Sequence, residues 1–233
     1  MQTQPELKQK QDASPMSVRL VVSLGMLCAV SLVISYVCGL IPPVAGILKF
    51  DLKGTVIVIG GFLFGPMASF LVGIVTAVIE MFTIGKTGPV GMVMNIISCI
   101  TFVCPAAYFY RKKHSLSGAV VGLVIGTLLM TVAMLLWNYL ITPLYMEVPR
   151  SVVKGMLLPV FLPFNLLKGG VSAVLAVLIY KPVVGALRKA RLVPESGPSA
   201  SGKVRRLGAG HIIIAAIVLI SLILLTLVFM GII

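Results

Sequence analysis

The chain has 233 residues, of which 59% are hydrophobic and 11% are charged. A soluble domain carries about 25% charged residues, so this composition excludes an ordinary soluble fold and predicts helices embedded in lipid. The net charge of +13 could indicate nucleic-acid binding, but the basic residues stand at the ends of apolar runs. That distribution is typical of the positive-inside bias of membrane proteins and argues against a nucleic-acid partner.

The first apolar run predicts a retained membrane span. Residues 1–16 are polar and of mixed charge, and the run that follows is too long for the core of a signal peptide. We therefore expect a cytoplasmic N-terminal tail followed by span 1 over about 18–40. Pro42 and Pro43 end that span, because proline removes a backbone donor and clashes with the preceding helical turn. Residues 41–53 then form a short connector.

The next uncharged run, 54–79, contains a turn signal at Gly65-Pro66. We predict a hairpin there, with span 2 over about 53–65 and span 3 over about 66–83. With two crossings, the N-terminal tail and the basic clusters at 111–113 and 181–206 all lie on the inner side. Of the 19 Lys and Arg residues, 13 then lie inside. The basic residues expected outside are Lys49, Lys53, Lys86, Arg150 and Lys154.

Four further apolar runs complete the predicted fold. They are spans 4 to 7, which cover about 90–110, 117–141, 158–180 and 207–233. A basic polar linker over 191–206 precedes the last of them. The sequence therefore predicts an all-α integral membrane protein, with a six-helix membrane domain over 17–190 and an additional C-terminal transmembrane helix over 207–233.

Small residues recur at every fourth position in several spans, and in lipid such residues let helices pack closely. The stripes are Gly61, Gly65, Ser69, Gly73 and Ala77 in spans 2 and 3, Gly118, Gly122 and Gly126 in span 5, and Gly25 and Ala29 in span 1. Packing within this chain and contact with a partner membrane protein are both compatible with this pattern. The sequence leaves the two interpretations open.

Five polar side chains are predicted at membrane depth: Glu80, Asn95, Asn138, Asn165 and Lys168. A charge at mid-bilayer costs about 2.5–3.5 kcal/mol on insertion scales, so such a residue needs a partner or a water-filled cavity. Lys168 could form an internal ion pair with Glu80, extend to the interface, or face a ligand cavity. Asn165 and Lys168 share one helix face, since they are three positions apart.

The polar residues of spans 5 and 6 are expected in the outer half of the membrane. Pro159 and Pro163 stand just before Asn165, and Trp137-Asn138 ends span 5 on the same side. Together these groups could line a cavity that opens outward, with amides, one cation and aromatic walls. That chemistry suits a flat heteroaromatic ligand with imide and carbonyl edges.

The sequence contains no recognisable catalytic motif, so we predict that the protein is not an enzyme. Gly85-Lys86-Thr87 matches the end of a P-loop, but Glu80 stands where the first glycine of that motif is needed. No metal-ligand cluster occurs either, and we expect no cofactor.

Several segments resemble the substrate-specific (S) components of energy-coupling factor (ECF) transporters. Phe50-Asp51-Leu52 and residues 60–66 resemble the start of span 2 in that family. Three further segments resemble its riboflavin-specific branch: 87–95, 137–145 and 162–169. The resemblance covers about 17–190, and it is specific because separate segments match in order.

The resemblance implies a six-helix bundle in the bacterial cell membrane that binds its vitamin from outside, with the N-terminus inside. It implies a shared transmembrane coupling protein and two ATPase subunits as partners. Riboflavin would be the transported ligand rather than a cofactor. An S component for another vitamin or for flavin mononucleotide is the alternative, because the outer Arg150 and Lys154 could contact a phosphate.

The resemblance also implies roles for individual residues. Family members hold the flavin with polar residues of spans 4 to 6 and with the first outer loop. By position these are Leu48, Asp51, Thr87, Asn95, Trp137, Asn138, Asn165 and Lys168. The family contacts its coupling protein through an alanine-x-x-x-alanine motif on span 1, where this chain has Gly25 and Ala29. The seventh span departs from the six-helix pattern of the family.

Overall fold

The structure is a computed structural model that describes residues 18–41, 43, 48–85 and 87–189. The predicted cytoplasmic tail, the basic linker and the seventh span lie outside these residues. Within the described part, the chain forms helices joined by short connections, as the hydropathy pattern predicts.

Seven helices follow one another along the described chain. They are α1 (Val18–Gly39), α2 (Lys53–Phe64), α3 (Pro66–Thr83), α4 (Gly88–Lys113), α5 (Leu116–Met146), α6 (Arg150–Met156) and α7 (Leu162–Lys189). A π-helical turn, Leu157–Phe161, joins α6 to α7, so that Arg150–Tyr180 forms one continuous span. Five stretches of the described residues are long and apolar enough to cross a membrane, and α2 is a shorter apolar helix.

The predicted hairpin is present at Gly65. The φ angle of Gly65 is 95°, a left-handed conformation that glycine adopts without a steric penalty, and Pro66 begins α3 at the first helical position. Because α2 has 12 residues, it is about 18 Å long at 1.5 Å per residue. A full span needs about 20 residues. The first residue of α2, Lys53, is buried within the helix bundle, with 4% of its surface exposed.

Two of the three small-residue stripes are used inside the chain. A Cβ atom at Gly126 would overlap the carbonyl oxygen of Phe102, and one at Gly122 would lie 2.8 Å from that of Ala106. The backbones of α4 and α5 are therefore in direct contact. Gly61 of the second stripe is equally enclosed, since a Cβ atom there would lie 2.8 Å from the Cβ atom of Ala107. Close packing of helices through glycine explains these stripes without a partner protein.

The turn between α4 and α5 carries the basic cluster of the described chain. Arg111, Lys112 and Lys113 form the last turn of α4, where positive side chains complement the helix dipole. His114 follows with a φ of 43°, and the side chain of Ser115 caps α5 by accepting a hydrogen bond from the N–H of Gly118. This turn lies at the end of α4 opposite to Gly88.

The π-helical turn before α7 follows from two prolines. Pro159 and Pro163 have no N–H groups to continue an α-helical ladder, and the N–H of Leu162 instead bonds the carbonyl of Leu157, five residues earlier. The turn shifts the register at the start of α7. It thereby directs Phe161, Asn165 and Lys168 toward the cavity described below.

Gly126→Ala should destabilise the bundle, because its new methyl group would meet the backbone of α4 rather than a movable side chain. Overpacking of this kind costs about 1–3 kcal/mol. Thermal unfolding in detergent should show a lower midpoint. Gly25→Ala is the matched control, since nothing lies within 4 Å of a Cβ atom at Gly25. Equal midpoints for the two variants would contradict the proposed α4–α5 contact.

Candidate functional site

A large cavity lies at the end of the bundle where α1, α3 and α5 end and where α4 and α7 begin. About 180 Å³ of it is open to the centres of water molecules. A single water needs about 10–15 Å³ by this measure. The cavity therefore has room for an organic ligand. The non-helical segment 48–52 forms one side of its wall.

All eight residues predicted to bind the substrate lie around this one cavity: Leu48, Asp51, Thr87, Asn95, Trp137, Asn138, Asn165 and Lys168. They come from the segment 48–52 and from the cavity ends of α4, α5 and α7. The structure thus brings together side chains that are up to 120 positions apart in the sequence. Their contact with a substrate remains a prediction.

Two buried amides form the wall between α5 and α7. Asn138 donates to the carbonyl of Met134 over 2.7 Å, and its oxygen accepts a hydrogen bond from Thr142 over 2.9 Å. Asn165 donates to the carbonyl of Phe161 over 2.8 Å. Each amide nitrogen carries two N–H donors, so one N–H of each side chain is held by its own helix. This anchoring orients the amides while leaving further hydrogen-bonding capacity at the cavity.

Lys168 lies one helical turn after Asn165 and lines the cavity. Among the described residues, its ammonium group makes no ion pair and no hydrogen bond. The possible ion pair between Lys168 and Glu80 is therefore absent from the described structure. Glu80 instead contacts a different lysine, Lys53. A cation that faces a cavity in an otherwise apolar bundle can bind an electron-rich ligand edge.

Lys53 is the centre of a buried ionic network that the sequence did not reveal. Its side chain pairs with Asp51 Oδ2 at 3.0 Å and with Glu80 Oε2, and the residue is only 4% exposed. Asn95 donates to Glu80 Oε2 over 3.1 Å, and Ser35 donates to Asp51 Oδ1 over 3.1 Å. The network joins four helices to the segment 48–52. The charge count places Lys53 among the outer basic residues; the structure adds that its side chain is buried and paired, and its side of the membrane stays a prediction.

A sequence signal for this network does exist. Glu80 is an acidic residue within a predicted span, and a buried carboxylate requires a compensating cation. The sequence offered Lys168 as that cation. The actual partner, Lys53, stands 12 residues before the turn at Gly65, and Glu80 stands 15 residues after it, so the two arms of the hairpin bring them to a similar level.

Asp51 is charged at neutral pH. Burial alone would raise the pKa of this carboxyl group, but the ammonium groups of Lys53 and Lys168 outweigh burial and hold the pKa below its usual value. The N–H of Lys53 also donates to Asp51 Oδ1 over 2.9 Å. The cavity wall therefore contains a carboxylate rather than a neutral acid.

Aromatic rings form the apolar part of the wall. Phe50 meets Phe164 edge to face, with 6.4 Å between ring centroids, so the segment 48–52 packs against α7. Trp137, Tyr145 and Phe161 also line the cavity. Flat apolar surfaces beside anchored amides suit a planar aromatic ligand with polar edges.

The cavity is equipped for binding. Among the described residues, no group of three His, Cys, Asp or Glu side chains is placed to hold a metal ion.

Gly25 and Ala29, predicted to contact a partner protein, lie away from the cavity on the exposed side of α1. No neighbour of the described chain lies within 4 Å of a Cβ atom at Gly25. Their role remains a prediction.

Residues 19–180 match the protein family described as "ECF transporter, substrate-specific component". The chain is similar to the riboflavin transporter FmnP of Bacillus subtilis strain 168, with 31% identity over 189 residues that cover 76% of this chain and 100% of that protein. It is also similar to the riboflavin transporter RibU of Staphylococcus aureus strain TCH60, with 27% identity over 176 residues that cover 72% of this chain and 92% of that protein.

A solved structure has the same fold. It is described as the S component of a bacterial ECF transporter, and it matches with a TM-score of 0.61 and 27% identity. The match covers 73% of this chain and 98% of that chain.

Proposed function

The chain belongs to the family of ECF transporter substrate-specific components, and from this premise we propose that it captures riboflavin outside a bacterial cell and delivers it inward. Its partners would be a transmembrane coupling protein and two ATPase subunits. Binding is non-covalent, and the chain itself carries out no reaction. The observation that carries the proposal is the single cavity around which the amides, Lys168 and the aromatic rings converge.

The names of the relatives support riboflavin as the ligand. FmnP and RibU are riboflavin transporters, and this chain covers 100% and 92% of their lengths. The isoalloxazine ring of riboflavin is planar, with carbonyl and imide groups along one edge. It would stack among the aromatic walls, while Asn138, Asn165 and Lys168 would bond its polar edge.

The residues that line the cavity bear on the choice between riboflavin and flavin mononucleotide. The cations that line it are Lys49 and Lys168, and the carboxylates are Asp51 and Glu80. Both carboxylates also pair with Lys53 behind the wall, so three cations face two carboxylates around the cavity. Arg150 and Lys154, which could have contacted a phosphate, are not among the lining residues. Riboflavin is neutral at pH 7, whereas flavin mononucleotide carries a negatively charged phosphate.

The basic turn between α4 and α5 supports an outward-facing cavity. Arg111, Lys112 and Lys113 lie at the C-terminal end of α4, while the cavity residues Thr87, Gly91 and Asn95 lie at its N-terminal end. The positive-inside rule places the basic end in the cytoplasm. The cavity then opens to the exterior, and α1 begins on the cytoplasmic side, which agrees with an N-terminus inside.

Riboflavin should quench the tryptophan fluorescence of the purified protein. Trp137 is the sole tryptophan of the chain and lines the cavity, so its emission can be transferred to a flavin bound beside it. Titration with micromolar riboflavin should give saturable quenching at one flavin per chain. Absence of any binding at that concentration would contradict the proposed substrate.

Competition separates riboflavin from the alternative ligands. Riboflavin should displace bound flavin at lower concentrations than flavin mononucleotide, because Arg150 and Lys154 do not line the cavity. Tighter binding of flavin mononucleotide would favour the phosphorylated ligand instead. Unrelated vitamins should not compete.

Lys168→Ala should weaken riboflavin binding while leaving the protein folded in the membrane. A hydrogen bond to a charged group contributes about 1.5–3 kcal/mol, which corresponds to roughly a 10- to 100-fold increase in Kd. Lys154→Ala is the matched control, because Lys154 is exposed and does not line the cavity. Unchanged affinity in Lys168→Ala would assign that lysine a structural role.

Gly25→Leu should impair transport while sparing riboflavin binding. The new side chain would project from the exposed side of α1, where a coupling protein could approach the small residues Gly25 and Ala29 closely. Flavin quenching in the isolated protein should equal that of the wild type, and assembly with the coupling protein should be lost. If the complex still assembles, the coupling interface lies elsewhere.

A further inference from the structure

Lys53 stands behind the cavity wall rather than in it. It does not line the main cavity, although both carboxylates that it contacts, Asp51 and Glu80, do. It lines only a second void of about 20 Å³, which has room for one water. Any effect of Lys53 on a ligand in the main cavity must therefore pass through other residues.

The contacts of Lys53 join the segment 48–52 to the rigid bundle. Its ammonium group connects Asp51 on that segment to Glu80 on α3, and its backbone N–H holds the second oxygen of Asp51. Asn95 of α4 donates to the same oxygen of Glu80 that Lys53 contacts. Charge-assisted hydrogen bonds of this kind are about twice as strong as neutral ones. Ser35 of α1 also donates to Asp51, and Lys53 supplies the charged contact that links Asp51 to α3.

The position of Asp51 affects a large part of the cavity wall. Leu48, Lys49, Phe50 and Asp51 all line the cavity, and Phe50 packs against Phe164 of α7. If Asp51 moves, these neighbouring residues must move with it, because they belong to one short segment between α1 and α2. The wall on this side of the cavity would then open.

We infer that Lys53 is a positioning residue that ties the segment 48–52 to α3 and thereby slows the release of the bound ligand. The inference rests on the proposed function, since it takes the ligand to be riboflavin. Lys53 touches no ligand atom. It acts by fixing Asp51, and with it the aromatic and apolar side chains of the segment, in the wall of the cavity.

The test uses the full chain in lipid nanodiscs and compares Glu80→Gln with the double variant Lys53→Met/Glu80→Gln. Removing Lys53 alone would leave two buried carboxylates without a cation, which threatens folding. The double variant removes one charge of each sign and keeps the net charge of the wild type. Glu80→Gln keeps the contact between Lys53 and Asp51, which the double variant removes together with the charge of Lys53.

Two quantities are measured: the rate of riboflavin release, followed by the recovery of Trp137 fluorescence, and hydrogen exchange of the amides of 48–52 in the ligand-free protein. The double variant should release riboflavin about 10- to 100-fold faster than Glu80→Gln, the range that corresponds to one charge-assisted hydrogen bond. Exchange should become faster in 48–52 but not in α4 or α5. Equal release rates and equal exchange in the two variants would overturn the inference.

Thr55→Val is the control for a general loss of packing. Thr55 is buried on the same helix, donates to the carbonyl of Ser172, and lines neither the main cavity nor the small void. It should leave release and exchange close to the wild type. A Thr55→Val variant that accelerates both as much as the loss of Lys53 would also overturn the inference. If the wild type binds no riboflavin, the proposed function fails, and the exchange measurement still decides whether Lys53 holds the segment.

Discussion

A polar group inside a membrane must be paired or must face a cavity, because lipid offers it no hydrogen bond. This chain meets the requirement in both ways. Asp51, Lys53 and Glu80 satisfy one another in a buried network, which joins the segment before α2 to α3. Lys168 and the amide of Asn165 face the cavity instead. The paired groups hold the wall of the cavity, whereas the groups that face the cavity are available to a ligand.

Close helix packing gives this arrangement a rigid base. Gly122 and Gly126 bring the backbone of α5 against the carbonyl groups of α4, away from the cavity end of both helices. With α4 and α5 in direct contact there, their cavity ends carry Asn95 and Asn138 on opposite parts of one wall. The α2–α3 hairpin serves the same purpose, since its turn at Gly65 brings Lys53 of one arm level with Glu80 of the other. Glycine positions thus determine where the polar groups lie relative to one another.

The proposed transport cycle assigns separate parts of the bundle to separate tasks. The cavity end binds the flavin, and the exposed side of α1 with Gly25 and Ala29 is available to the coupling protein. The remaining small-residue stripes are occupied within the chain and cannot serve a partner in this conformation. In the proposed cycle, the energy for transport would come from the ATPase subunits.

Local sequence patterns predict the membrane class, the hairpin at Gly65, the bounds of most helices and the set of polar residues within the spans. These follow from local properties: runs of apolar residues, a Gly-Pro turn and the cost of a charge in lipid. The cation that compensates Glu80 and the small-residue stripes that pack internally become visible only in the folded chain. Ion pairing and helix packing depend on the relative depth and rotation of helices distant in sequence. Lys53 is an example: the turn at Gly65 brings it level with Glu80, but only the packing and rotation of α2 against α3 turn the two side chains toward each other, and the charge pattern around residue 53 does not encode that packing.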